Sequence, residues 1–234
     1  MQPLEHNSNF ILVDTLKETP EKTIRLFQNT RTQRYLLQRI VPESLLEVYQ
    51  KIAELRHPNL IEIYDVSPWE GYTLVWEEYF DGIPLSTLLE DRTFSLKETK
   101  RLALQLCNGL EALHSLQIIH RDIKPQNLLL SAEGLLKIID YDASKAYKPL
   151  QLEDTSYLGT VGYAAPEQYG ITQSDFRTDI FSFGILLNLL LTGEHPAVKL
   201  CTGKSRKIVE KCTRVNSAQR YQTVLELKKA LLFL

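Results

Sequence analysis

The chain has 234 residues, 44% hydrophobic and 24% charged, with 29 acidic residues against 27 Lys and Arg for a formal net charge of −2. This is the make-up of a globular chain long enough for one large domain or two lobes. So small a charge imbalance offers no basic excess to a nucleic acid or an anionic membrane, and no apolar run approaches the roughly 18 residues of a membrane helix. The longest, Ile185 to Leu191, is interrupted by Asn188. Cys107, Cys201 and Cys212 have no metal-type spacing, so they read as reduced thiols of a cytoplasmic protein. Gln2, Glu5, His6 and Asn7 follow Met1 where a signal peptide would carry basic residues and an apolar core, so none is expected.

From residue 10 to about 80 short apolar stretches alternate with turns. Residues 10–13, 23–27, 35–40, 60–64 and 72–76 are rich in β-branched, aromatic and aliphatic residues and predict five strands. Between them, apolar Leu45, Val48, Ile52 and Leu55 follow helical spacing. The segment Glu78-Tyr79-Phe80-Asp81-Gly82 joins this part to a helical remainder. There, Ser95 followed by Glu98 forms a capping-box pattern, and Leu102, Leu106, Leu110 and Leu113 line one face of the helix it opens. Residues 179–192 are apolar nearly all round and predict a buried central helix, and 221–234 predict a last amphipathic one. No internal repeat interrupts the series.

Between Ile118-Ile119 and Leu128-Leu129-Leu130 lies His120-Arg121-Asp122-Ile123-Lys124-Pro125-Gln126-Asn127. One short loop thus carries a carboxylate to orient an attacking hydroxyl, a cation to meet phosphate charge and an amide oxygen for magnesium, the groups that γ-phosphoryl transfer needs. Downstream come Ile138-Ile139-Asp140-Tyr141-Asp142, then residues 159–168, Gly-Thr-Val-Gly-Tyr-Ala-Ala-Pro-Glu-Gln, and residues 177–184, Arg-Thr-Asp-Ile-Phe-Ser-Phe-Gly.

These four strings resemble the catalytic loop, the metal-binding Asp-Phe-Gly turn, the end of the activation segment and the central helix of the protein kinases. The bacterial serine/threonine kinases of eukaryotic type are the most similar. The resemblance runs from about residue 10 to the end of the chain. It implies an α+β bilobal fold over 1–234, with a small sheet lobe to about residue 78, a hinge at 78–82 and a mainly helical lobe over 83–234. By the resemblance Asp122 is the catalytic carboxylate, Lys124 contacts the transferring phosphate, and Asn127 and Asp140 hold Mg²⁺. Thr160 bonds the Asp122–Lys124 pair, and Glu167 pairs with Arg220. Asp179 accepts backbone N–H groups of the catalytic loop. Backbone groups of Glu78 to Phe80 receive the adenine of ATP, with Ile24, Leu36 and Leu129 as apolar neighbours. A protein Ser or Thr hydroxyl is the implied acceptor. Arg121 marks the subgroup in which a phosphorylated activation loop can dock on the arginine, with Thr155, Ser156 and Tyr157 as candidate acceptors and autophosphorylation at Thr155 or Ser156; an exposed loop that is never phosphorylated is the open alternative.

The first lobe departs from the family. Aligning Leu16 and Ile24 with the apolar residues that flank the glycine-rich loop puts Lys17, Thr19 and Lys22 at its three glycines. Tyr35-Leu36-Leu37-Gln38 stands where Val-Ala-Ile-Lys belongs, so Gln38 replaces the nucleotide lysine and Leu36 the small alanine. Nine residues before His57 the lysine's partner glutamate is replaced by Val48. Two cations offer a substitute. Lys22 falls on the third glycine position, from which the with-no-lysine kinases supply their lysine; a solvated lysine in a polar turn is its plain alternative. Arg39 is expected on the strand face opposite Gln38. The region 196–206 is short for the family. The leading expectation is an active serine/threonine kinase. A pseudokinase with a blocked nucleotide site is the alternative, and a small-molecule kinase of related fold is disfavoured by the segment around Ala165-Pro166-Glu167.

Overall fold

The computed structural model describes residues 9–147, 160, 162–169 and 173–234. The chain divides into two compact units. One comprises residues up to His57 with Ile61–Asp81, the other Pro58–Leu60 with Gly82–Leu234.

The first unit is a five-stranded antiparallel sheet with one helix. Its elements are β1 (Phe10–Thr19), β2 (Lys22–Asn29), β3 (Tyr35–Pro42), α1 (Leu46–Ala53), β4 (Ile63–Trp69) and β5 (Tyr72–Glu78). The strand order is β1-β2-β3-β5-β4. Ile40, Leu74 and Trp76 form a buried cluster, with Phe27, Leu36 and Trp69 packed on it. The helix buries Val48, Tyr49 and Ile52, a spacing of three and four that follows from 3.6 residues per turn. The strand expected over 60–64 begins instead at Ile63 and runs to Trp69. Leu60 belongs to the other unit, where it bridges Ile138, and neighbouring Asn59 donates its Nδ2 to Leu136 O at 2.8 Å. A buried amide needs such a partner, and it decides which sheet the segment joins.

The second unit contains β6 (Ile83–Pro84), α2 (Leu85–Asp91), α3 (Leu96–Ser115), β7 (Ile118–Ile119), β8 (Leu128–Leu130), β9 (Leu136–Ile138), β10 (Lys145–Ala146), α4 (Phe176–Thr192), α5 (Gly203–Cys212) and α6 (Val224–Leu232). The Ser95–Glu98 capping box opens α3, with Ser95 Oγ accepting from Glu98 N–H and Glu98 Oε2 accepting from Ser95 N–H at 2.9 Å. The central helix α4 is buried nearly all round, as its sequence requires. It starts at Phe176, three residues earlier than expected, because Asp175 caps it through Arg177 N–H at 2.8 Å. It ends at Gly193, in the left-handed region at φ +74°. Helices α2 and α5 had no sequence expectation. In α5 only Ser205, Ile208, Val209 and Cys212 are buried, an apolar stripe diluted by lysine and arginine. Among the described residues no helix is long and apolar enough to cross a membrane.

Candidate functional site

The 118–147 segment turns back on itself through two short ladders. Strand β7 pairs with β10, and β8 with β9. Residues 120–127 are thereby held as a tight loop whose ends are both strands. Two of its anchors are backbone amides: His120 N–H and Arg121 N–H donate to the Oδ2 and Oδ1 of Asp179, at 3.0 and 2.8 Å. Asp179 is fully buried on α4 and its Oδ2 also meets His114 Nε2 at 2.8 Å. Burial pushes its carboxyl pKa up, but the His114 hydrogen bond, nearby histidine charge and the His120 amide outweigh this and hold it below the ordinary carboxylate value. The 118–147 segment is strained at two turns. Arg121 has φ +67° and Asp140 has φ +66°, conformations that cost of order 1–3 kcal/mol each in non-glycine residues. Gln168 steadies the first of these, donating its Nε2 to Arg121 O at 2.8 Å.

Inside the loop four side chains meet. Asp122 Oδ1 accepts from Thr160 Oγ at 2.7 Å. Asp122 Oδ2 lies 2.7 Å from Lys124 Nζ and accepts from Asn127 Nδ2 at 2.9 Å. Lys124 Nζ also donates to Thr160 Oγ at 2.7 Å, and Asn127 Nδ2 to Asp122 O at 2.9 Å. Asp122 and Lys124 are partly open to solvent, at 16% and 19% side-chain exposure, so both can reach a ligand. The asparagine's nitrogen is committed to Asp122, which leaves its amide oxygen for a hard cation. By the resemblance it would share Mg²⁺ with the carboxylate of Asp140, amide and carboxylate oxygens being donors that a hard cation takes. Tyr141, next to Asp140, is fully buried with its ring 5.7 Å from His120. Asp142, in the glycine place of the resemblance, is not among the residues with positive φ, so it stands there without backbone strain.

The Ala165-Pro166-Glu167 turn is fastened from below. Arg220 grips Glu167 with two bonds, Nη1 to Oε1 at 2.6 Å and Nη2 to Oε2 at 2.8 Å. It also donates to the carbonyls of Arg177, Arg214 and Val215. A buried carboxylate with a bidentate partner and a guanidinium with its donors engaged is the one arrangement in which such a pair is not a liability. Thr155, Ser156 and Tyr157, the expected phosphate acceptors, lie outside the described residues; Arg121, their expected dock, is buried.

In the first unit the predicted nucleotide residues fall on two sides of the sheet. Thr19 and Lys22 close the β1–β2 hairpin, with Lys22 N–H donating to Thr19 Oγ at 3.1 Å. Lys22 is only 8% exposed, which rules out the solvated turn lysine. Ile24 follows on β2. Leu36 and Gln38 sit on β3, the first packed on the Trp76 cluster and the second 1% exposed. Glu78 ends β5, and its N–H donates to Glu62 O at 2.9 Å. Phe80 is half-buried beyond it, and Leu129 belongs to β8 in the other unit. One pair escaped sequence reasoning. Arg39 donates its Nε to Glu77 Oε1 at 2.5 Å, with both side chains buried. The signal was present as two charges in strands that otherwise read as core, one on each of two neighbouring strands.

Comparison with known proteins shows the family. A family model for the protein kinase domain matches residues 17–231. The probable serine/threonine-protein kinase PknB of Lactococcus lactis is 35% identical over 147 residues, 62% of this chain and 23% of that protein. Serine/threonine-protein kinase PrkC of Bacillus subtilis is 33% identical over 149 residues, 63% of this chain and 23% of that protein. Human ribosomal protein S6 kinase alpha-1 is 34% identical over 157 residues, 67% of this chain and 21% of that protein. The matched segments thus span about a fifth to a quarter of these relatives' own length.

Proposed function

The chain belongs to the protein kinase domain family, and on that premise we propose that it is an active serine/threonine kinase that moves the γ-phosphoryl group of ATP to a protein hydroxyl. The observation that carries the reading is the closed set around Asp122. Lys124, Asn127 and Thr160 all touch it or its carbonyl within 3 Å. A chain without phosphotransfer has no chemical need to keep all four in mutual contact.

In this mechanism Asp122 accepts a hydrogen bond from the Ser or Thr hydroxyl and aims its oxygen at the γ-phosphorus. The new O–P bond forms as the bond from phosphorus to the β–γ bridging oxygen breaks, and the hydroxyl proton passes to Asp122. Lys124 neutralises charge on the moving phosphoryl group, and Thr160 keeps Asp122 and Lys124 in register. Asn127 Oδ1 and Asp140 would hold Mg²⁺, which supplies charge neutralisation at the phosphates. Lys22 is the cation assigned to the phosphates from the hairpin. The Glu78 carbonyl and the Phe80 backbone meet the adenine, the Glu78 N–H being engaged by Glu62 O, and Ile24 and Leu129 supply apolar contact. The free, buried thiols suit a reducing, cytoplasmic setting.

The competing reading is a pseudokinase, a binding module without transfer. Its specific support is Val48, buried on α1 where the family keeps its acidic partner, together with a hairpin that lacks glycine. Calorimetric titration of Mg·ATP, with EDTA as control, separates the two. Magnesium-dependent binding in the micromolar to millimolar range followed by transfer to a Ser/Thr substrate is the expected result. No heat at millimolar nucleotide from a folded chain overturns it.

A further inference from the structure

Residues directly opposite each other on antiparallel strands point to the same side of a sheet. Across β2 and β3, Ile24 stands opposite Arg39 and Leu26 opposite Leu37. Across β3 and β5, Arg39 stands opposite Val75 and Leu37 opposite Glu77. Ile24, Arg39 and Glu77 therefore issue from one side, and Lys22, two residues before Ile24, joins them by strand alternation. The other side carries Arg25, Gln38 and Trp76 in one row, beside the Ile40–Leu74–Trp76 cluster. Of the residues that the resemblance gives to the nucleotide, Lys22 and Ile24 thus share their side with Arg39 and not with Gln38.

We propose that Arg39 is the phosphate-binding cation of β3 and that Glu77 is the positioning carboxylate that holds it. The pair is then made within the sheet instead of between strand and helix. The inference rests on the nucleotide reading above. A planar guanidinium can hold a carboxylate through one edge and present a second to phosphate, which an ammonium does less well. Helix α1 places no acidic residue where the resemblance expects the partner glutamate. Val48 is buried there, and Glu47 is taken by Lys51 at 2.7 Å. In the family the lysine–glutamate pair depends on where that helix sits, which makes it a switch. Here both partners belong to strands joined by the β3–β5 ladder, so their bond is made by the register of the sheet.

The test is Mg·ATP titration into the full chain and its variants. Removing one partner would strand a buried charge and can unfold the chain, so the deciding variant is Arg39→Leu/Glu77→Leu, which removes both. Arg39→Gln/Glu77→Gln serves if the leucines do not fold, and thermal melting establishes folding of each. The expected result is a folded double variant that binds Mg·ATP roughly tenfold or more weakly than wild type. Arg39→Lys should recover most of that loss, and Gln38→Ala should cost less than the double variant. A folded double variant that binds as wild type does makes the pair merely structural; the inference then falls while the nucleotide reading stands. A larger loss for Gln38→Ala has the same meaning. A folded wild type that binds no Mg·ATP removes both readings together.

Discussion

The loop around Asp122 and the sheet around Arg39 treat charge in opposite ways. In the loop, four side chains share one hydrogen-bonded set, each of the type that the resemblance expects at its place. In the sheet, the resemblance expects glycines and a lysine–glutamate pair that the sequence does not supply at the matching places, yet the buried charges Arg39 and Glu77 neutralise each other. The difference teaches what each region can lose. In the loop, removing one group leaves another without a partner in a partly buried space, so the set stands or falls as a unit. A buried ion pair can stand elsewhere in the lobe provided that both charges come together.

The widest predicted gap between the regions is catalytic. Asp122→Asn should lower phosphotransfer by about three orders of magnitude while leaving the melting temperature close to wild type, checked by radiolabel transfer and calorimetry. Retained transfer would show that the loop is not a unit. Next comes the buried pair of the second unit. Arg220→Leu should cost about 3–5 kcal/mol in chemical denaturation, because Glu167 is left buried without its cation. In the first unit, Lys22→Ala should weaken Mg·ATP binding about tenfold with little change in stability, read by titration. An unchanged affinity would take Lys22 out of the site. Packing gives a smaller effect. A Cβ at Gly184 would lie 2.5 Å from Cys212 Cβ, so Gly184→Ala should push α4 from α5 and cost about 1–3 kcal/mol in the same denaturation assay.

The smallest effect is a pH dependence at the start of α3. The Ser95 hydroxyl, Arg92 and the Ser95 amide lower the Glu98 pKa from the ordinary 4.5 to about 2. A lowered folded-state pKa stabilises the fold above the unfolded value. The melting difference between wild type and Glu98→Gln should therefore be full above about pH 4.5 and vanish as pH falls toward 2. A difference that persists at pH 2 would mean that the carboxylate charge has no part in the cap.

What the sequence determined by itself was local. The His120–Asn127 loop, the Ser95–Glu98 cap and the all-apolar α4 are each written in adjacent residues or within one helical period, so composition and spacing suffice to read them. Helix α5 was missed because its buried stripe is thin beneath exposed lysine and arginine. Leu60 joins the other unit, which the sequence does not show because an apolar residue does not say which sheet it joins; the bonds of Asn59 and Leu60 to β9 decide that. Only the tertiary structure set Arg39 beside Glu77. They lie 38 residues apart on neighbouring strands, and a shift of one residue in register would have turned Gln38 to that side instead. Pairing across a sheet is a non-local choice, made by the register of the ladder and the burial of both charges, and no local pattern encodes it.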